Sequence, residues 1–103
     1  MYVLNLTFSI DKNIFQEWMD WYNEHGASKF SNNTLVTTVK LFNILGTEKE
    51  EDITRCVHLE FEDNQKLHHF YTREFVQISG EIKNKFGDKC LYFGSVLELI
   101  KEN

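Results

Sequence analysis

The hydrophobic period of this chain switches from two to 3.6 and back, twice, and that succession restricts its fold more than any other feature. From Tyr2 to Ile10 the residues alternate. Tyr2, Leu4, Leu6, Phe8 and Ile10 fall on one side, and Val3, Asn5, Thr7 and Ser9 on the other, as in a half-buried strand. Asp11 suits a helix N-cap. Lys12 to His25 then reads as an amphipathic helix, with Ile14, Phe15, Trp18, Tyr22 and His25 on its apolar face and Met19 and Trp21 at the margins. Gly26 suits the stop, and Ala27 to Asn33 reads as a loop. Thr34 to Leu45 is rich in Thr, Val, Leu and Phe and predicts a second strand. Gly46 to Asp52 is an acidic turn leading into a third strand, Ile53 to Glu62. There Val57, Leu59 and Phe61 point inward and Cys56, His58 and Glu60 outward. Asp63 or Asn64 caps a second helix running to about Lys85, with a stripe of Leu67, Tyr71, Phe75, Ile78 and Ile82. Phe86-Gly87-Asp88 ends it, Cys90 to Leu97 forms a last strand, and the tail Glu98 to Asn103 has room for one helical turn.

The order β-α-β-β-α-β is that of a ferredoxin-like α+β domain spanning residues 1–103: a four-stranded antiparallel sheet with two helices on one face. Right-handed crossovers place strands one and three at its centre, with Leu4, Leu6, Phe8, Val57, Leu59 and Phe61 against the helices.

Composition narrows the functions. Eleven basic against sixteen acidic residues give a net charge of -5, and no Lys/Arg cluster interrupts it, which argues against nucleic acid as a partner. No apolar run approaches the roughly 18 residues a membrane helix needs, so no membrane partner is expected. The start, Met1-Tyr2-Val3-Leu4-Asn5, lacks a basic n-region and reads as no signal peptide, so a cytoplasmic location is expected. Cys56 and Cys90 fit no metal spacing or disulfide framework, and both are expected to be free thiols. No Gly-rich phosphate loop or nucleophile elbow occurs, and no cofactor is expected.

The helices leave one sheet face uncovered. Its centre carries Val3, Asn5, Thr7, Cys56, His58 and Glu60. Its edges add either Leu35, Val39 and Leu41 or Val36, Phe42 and Ile44, with Tyr92 or Phe93. A face that is polar in the middle and apolar at the flanks suits packing against a second copy, so a homodimer through the open sheet face is expected.

The helix Glu17-Trp18-Met19-Asp20-Trp21-Tyr22-Asn23-Glu24-His25 resembles the W-x-x-W-x-x-x-H helix of a small bacterial family known only as a domain of unknown function. The run from Phe86 to Ile100 resembles that family's closing F-x-x-x-x-x-x-F-R-T-x-L-E-x-I segment. The resemblance implies a ferredoxin-like fold in a dimeric α+β barrel and supplies no activity. Two positions depart from it: Gly26-Ala27 stands where the family often has Ile-Pro, and Gly94-Ser95 replaces its Arg-Thr. The wider superfamily includes cofactor-free monooxygenases, haem-degrading enzymes and isomerases, so the fold alone assigns no chemistry.

Two groups of residues are candidates for a ligand pocket. Asn5, Thr7, His58 and Glu60 share the outer sheet face, where His58 would shuttle a proton and Asn5 donate a hydrogen bond; the plainer reading is a solvated face or polar dimer contacts. Trp18, Trp21 and His25 share the apolar helix face, where they would line an aromatic pocket; the plainer reading is core packing, with His25 at a helix C-terminus. His68 and His69 are adjacent and lack the i, i+4 spacing of helical metal pairs, so no metal site is expected. Haem-degrading members of the wider superfamily use an Asn on the first strand, a Trp and a His on helix two; Asn5 and His68 resemble two of these, but both tryptophans lie on helix one. Two functions follow: a binding module for a small ligand or partner, or a cofactor-free enzyme with His58 or His25 as its base.

Overall fold

A computed structural model describes residues 1–47 and 49–103; Glu48, in the middle of the acidic turn, lies outside the described residues. Strand β1 (Tyr2–Asp11) leads into helix α1 (residues 12–31), followed by β2 (Thr38–Asn43), β3 (Asp52–Phe61), helix α2 (residues 64–86) and β4 (Cys90–Glu98). The sheet order is β2-β3-β1-β4, and every pairing is antiparallel. The two ten-residue strands, β1 and β3, lie at the centre as the crossover rule requires.

Alternation on these strands divides the molecule into a dry side and an open side. Leu4, Leu6, Phe8, Val57, Leu59 and Phe61 are fully buried beneath the helices. From above, Trp18, Phe30, Phe70 and Ile82 fill the space between the layers. Rings meet throughout: Phe8 lies 5.4 Å from Trp18, Trp18 stacks on Tyr22 at 5.5 Å, and Phe61 packs on Phe70 at 5.6 Å. Close packing of this kind leaves little void at the centre of the core; at the edge a groove of about 430 Å³ opens between α2 and β4, lined by Ile82, Cys90 and Tyr92 among others.

Both helices contain one wide turn, and it corrects the sequence reading. α1 does not stop at Gly26. Its α-helical part Phe15–Trp21 passes through a π-helical turn, Tyr22–Gly26, and continues as Ala27–Ser31. Gly26 has helical φ of -62°, so it breaks nothing. Its role is steric: a Cβ there would lie 2.9 Å from Cζ3 of Trp21. The inserted residue rotates the following face by about 100°. Gly26 therefore takes the inward position expected of His25, and the His25 side chain is 62% exposed. Phe30, read as loop, becomes part of the core. In α2 a wide turn, Phe70–Glu74, sets Leu67 and Phe70 in phase with Phe75, Ile78, Ile82 and Phe86. A strict 3.6 period passes over Phe70 and selects Tyr71, which is only partly buried.

Two further boundaries differ from the expected ones. β2 begins at Thr38, not Thr34, because the Asn33 carboxamide oxygen accepts from the backbone N–H groups of Leu35 and Val36 at 2.9 and 3.1 Å and turns the chain. The tail forms no helical turn: β4 runs through Glu98, and Leu99 N donates to Met1 O at 3.0 Å. The α2 N-cap is Asp63, whose carboxylate accepts from Lys66 N at 2.8 Å.

Candidate functional site

Register places the outer-face residues in rows across the four strands. One row is Lys40, His58, Asn5 and Ser95. The next towards the β2–β3 turn is Phe42, Cys56, Thr7 and Phe93. Beyond it Thr54 and Ser9 lie beside Leu91, while on the other side of the histidine row are Thr38, Glu60, Val3 and Leu97. The edge strands thus resolve the two choices left open by the sequence. β2 presents Phe42 outward and turns Val39 and Leu41 towards the helices. β4 presents Leu91, Phe93 and Leu97 outward, whereas Tyr92 turns inward onto Phe8 and Phe75, at 5.9 and 5.1 Å.

The structure brings Asn5, His58 and Glu60 together. His58 Nδ1 is 2.8 Å from Asn5 Oδ1, and Nε2 is 3.0 Å from Glu60 Oε2. The His58 and Glu60 side chains are each 22% exposed, which shields the contact from bulk water. Phe42 meets the imidazole edge-on at 5.7 Å. In the neutral ring Nε2–H donates to Glu60, and the Asn5 amide turns its N–H towards Nδ1. In the imidazolium both nitrogens donate, to Glu60 and to the Asn5 oxygen. Either way both ring nitrogens are held by side chains of the protein. A general base needs a nitrogen directed at the reactant, and this ring would have to break one of its contacts to offer one. Thr7 lies beside this cluster, paired across the strands with Cys56, whose thiol pKa burial raises and Thr7 partly lowers.

Trp18, Trp21 and His25 do not join this cluster. The sheet separates them from it. Trp18 is fully buried and Trp21 nearly so. His25 faces solvent, 3.9 Å from Glu24. An aromatic pocket closed by a histidine is therefore not formed. Trp18 Nε1 has no hydrogen-bond partner. The indole partly offsets the effect of burial on Cys90, whose thiol is nonetheless pushed from 9.0 to about 11. Asn5 and His68 also lie in different layers: Asn5 on the open face, His68 exposed on α2. Among the described residues no cluster of His, Cys, Asp or Glu is placed to hold a metal, and no helix is long and apolar enough to cross a membrane.

β4 carries a feature that the sequence reading undervalued. Of eleven exposed large apolar residues among those described, seven lie between Leu91 and Ile100. Leu91 and Phe93 are each 61% exposed, and Ile100 is 91% exposed, so the apolar surface is concentrated on one margin of the sheet. Gly94, the family departure, is also explained. It sits over the helix-side Tyr71, and a Cβ there would collide with the phenol oxygen.

The family described as "domain of unknown function (DUF4286)" matches residues 1–100. The chain belongs to this family. No curated protein matches it in sequence. Several solved structures share the fold of this DUF4286 member. A Deinococcus radiodurans protein provisionally assigned as an antibiotic biosynthesis monooxygenase superposes with a TM-score of 0.74 at 9% identity, covering 100% of this chain and 96% of that one. A dimeric ferredoxin-like protein from an uncultured marine organism gives 0.66 at 14% identity, with 100% and 98% covered. A mutant of MhuD, solved with two manganese protoporphyrin IX molecules per active site, gives 0.66 at 11% identity, with 98% and 97% covered. At these identities the likeness is one of fold, and it agrees with the ferredoxin-like architecture read from the sequence.

Proposed function

We propose that this DUF4286 protein is a cytoplasmic homodimeric binding module, paired through the open sheet face and holding a small ligand there, and that it is not an enzyme. One observation carries this reading: a satisfied polar cluster, Asn5–His58–Glu60, bordered by exposed apolar side chains, Phe42 on one edge and Leu91, Phe93 and Leu97 on the other. An apolar margin of this kind is costly in water and is relieved by covering it. The dimeric ferredoxin-like neighbour supports pairing, and the porphyrin-bound neighbour supports small-molecule binding on this fold. Against catalysis stand the engaged nitrogens of His58.

Sedimentation at micromolar concentration tests the assembly. The expected mass is about twice 12.3 kDa, and Phe93→Glu should shift the protein to monomer while it remains folded. A wild-type monomer under these conditions would refute pairing.

A further inference from the structure

A groove of about 480 Å³ lies at one end of the open face, where the β2–β3 turn passes beside β1 and β4. Its size falls within the range of small-molecule sites, roughly 300–1,000 Å³. Ile44, Leu91 and Phe93 supply apolar surface on its two sides. Thr7, Ser9, Thr47 and Thr54 supply hydroxyls, and Lys49 supplies an ammonium. Thr47 Oγ1 gives its one hydrogen to the Ile44 carbonyl at 2.9 Å, so at its 3.4 Å separation from Thr54 Oγ1 the Thr54 hydroxyl is the donor; that contact is long, and the Thr54 hydroxyl can rotate away from it to donate to a ligand. The groove therefore offers an apolar body site and a cationic, hydroxyl-bearing head site.

The surrounding charge narrows the head group. Lys49 is followed by Glu50, Glu51 and Asp52, three carboxylates against one ammonium. The segment stays net negative with Lys49 counted, so it opposes a doubly charged phosphate head more strongly than a singly charged one, whose charge the Lys49 ammonium can offset at contact. We propose that this groove binds a monocarboxylate with a medium-length apolar chain, its carboxylate on Lys49 and the Thr54 hydroxyl, its chain along Leu91 and Phe93. The assignment rests on the ligand-binding reading above and names the ligand class for it. Pairing of the open faces would place a second protomer over the groove and exclude water from the chain.

The test is calorimetric titration of the wild-type protein with octanoate, octan-1-ol and octyl phosphate, with sedimentation run on the same sample. Octanoate should bind about ten-fold or more tightly than octan-1-ol, as a charge-assisted contact predicts, and octyl phosphate more weakly than octanoate. Lys49→Met, at an exposed position, should abolish the preference for octanoate and leave octan-1-ol unchanged. Thr54→Val should reduce it. Binding of octanoate no tighter than octan-1-ol, or a preference that survives Lys49→Met, overturns the assignment. A dimer that binds none of the three overturns the groove and leaves the pairing standing, whereas a monomer that binds octanoate does the reverse.

Discussion

Trp18 lies at the centre of the core. It is fully buried, touches Phe8 and Tyr22, and stands mid-stripe on α1. Removing a buried aromatic side chain costs about 3–5 kcal/mol, which is a large share of a small domain's stability. Trp18→Ala should therefore unfold the protein or lower its melting temperature by many degrees. His25→Ala should leave the melting temperature nearly unchanged, because the histidine is exposed and its 3.9 Å contact with Glu24 is a surface one. Thermal denaturation followed by circular dichroism compares the two. The sequence alone placed both residues on one face, and at this scale it was half right. Trp18 lies before the wide turn and keeps its phase; His25 lies inside it and loses it. Nothing in residues 22–26 announces the inserted residue except the glycine, which reads equally well as a stop.

The two helices hold the clearest contrast between glycines that look alike in sequence. Gly26 and Gly80 both occupy helix interiors, where alanine is normally preferred by about 1 kcal/mol. A Cβ at Gly80 meets nothing within 4 Å. Gly80→Ala should therefore raise stability by up to about 1 kcal/mol. At Gly26 the added carbon would press on the Trp21 ring, a rigid neighbour inside the core. Gly26→Ala should lower stability, because overpacking commonly costs about 1–3 kcal/mol. Urea titrations of the two variants should move in opposite directions. The central strands, by contrast, were legible nearly residue by residue. A period of two leaves no room for a hidden insertion without inverting the faces, and β1 and β3 show none. The outer cluster was legible for the same reason: Asn5, His58 and Glu60 had to share a face. Which face the edge strands would add was not, since both sides of β2 and β4 carry apolar groups.

At the scale of the whole molecule, burial of the thiols makes stability depend on pH in the alkaline range. Cys90 keeps its proton in the folded protein to about 11 against an ordinary 9.0. Unfolding frees it to ionise above 9.0, so the unfolded chain binds fewer protons there. The stabilisation is thus fully present below 9.0 and is lost as pH rises through about 11. The burial-raised Cys56 and Tyr22 act in the same direction. Denaturant midpoints between pH 8 and pH 11 should fall with pH, and Cys90→Ala should flatten that fall while lowering the midpoint throughout.

The positions of the two cysteines have a consequence for watching this molecule move. β1 stands between their strands, and they point to opposite faces: Cys56 to the open side, Cys90 to the core. They cannot be joined while the sheet is intact, and they do not become accessible through the same event. Cys90 is 5% exposed at the edge of the α2–β4 groove, so its rate of capture reports the separation of α2 from β4. Cys56 lies on the face we propose for pairing, so its rate of capture should slow as the protein is concentrated. A chain with no engineered label thus carries one native probe for each of its two layers of organisation.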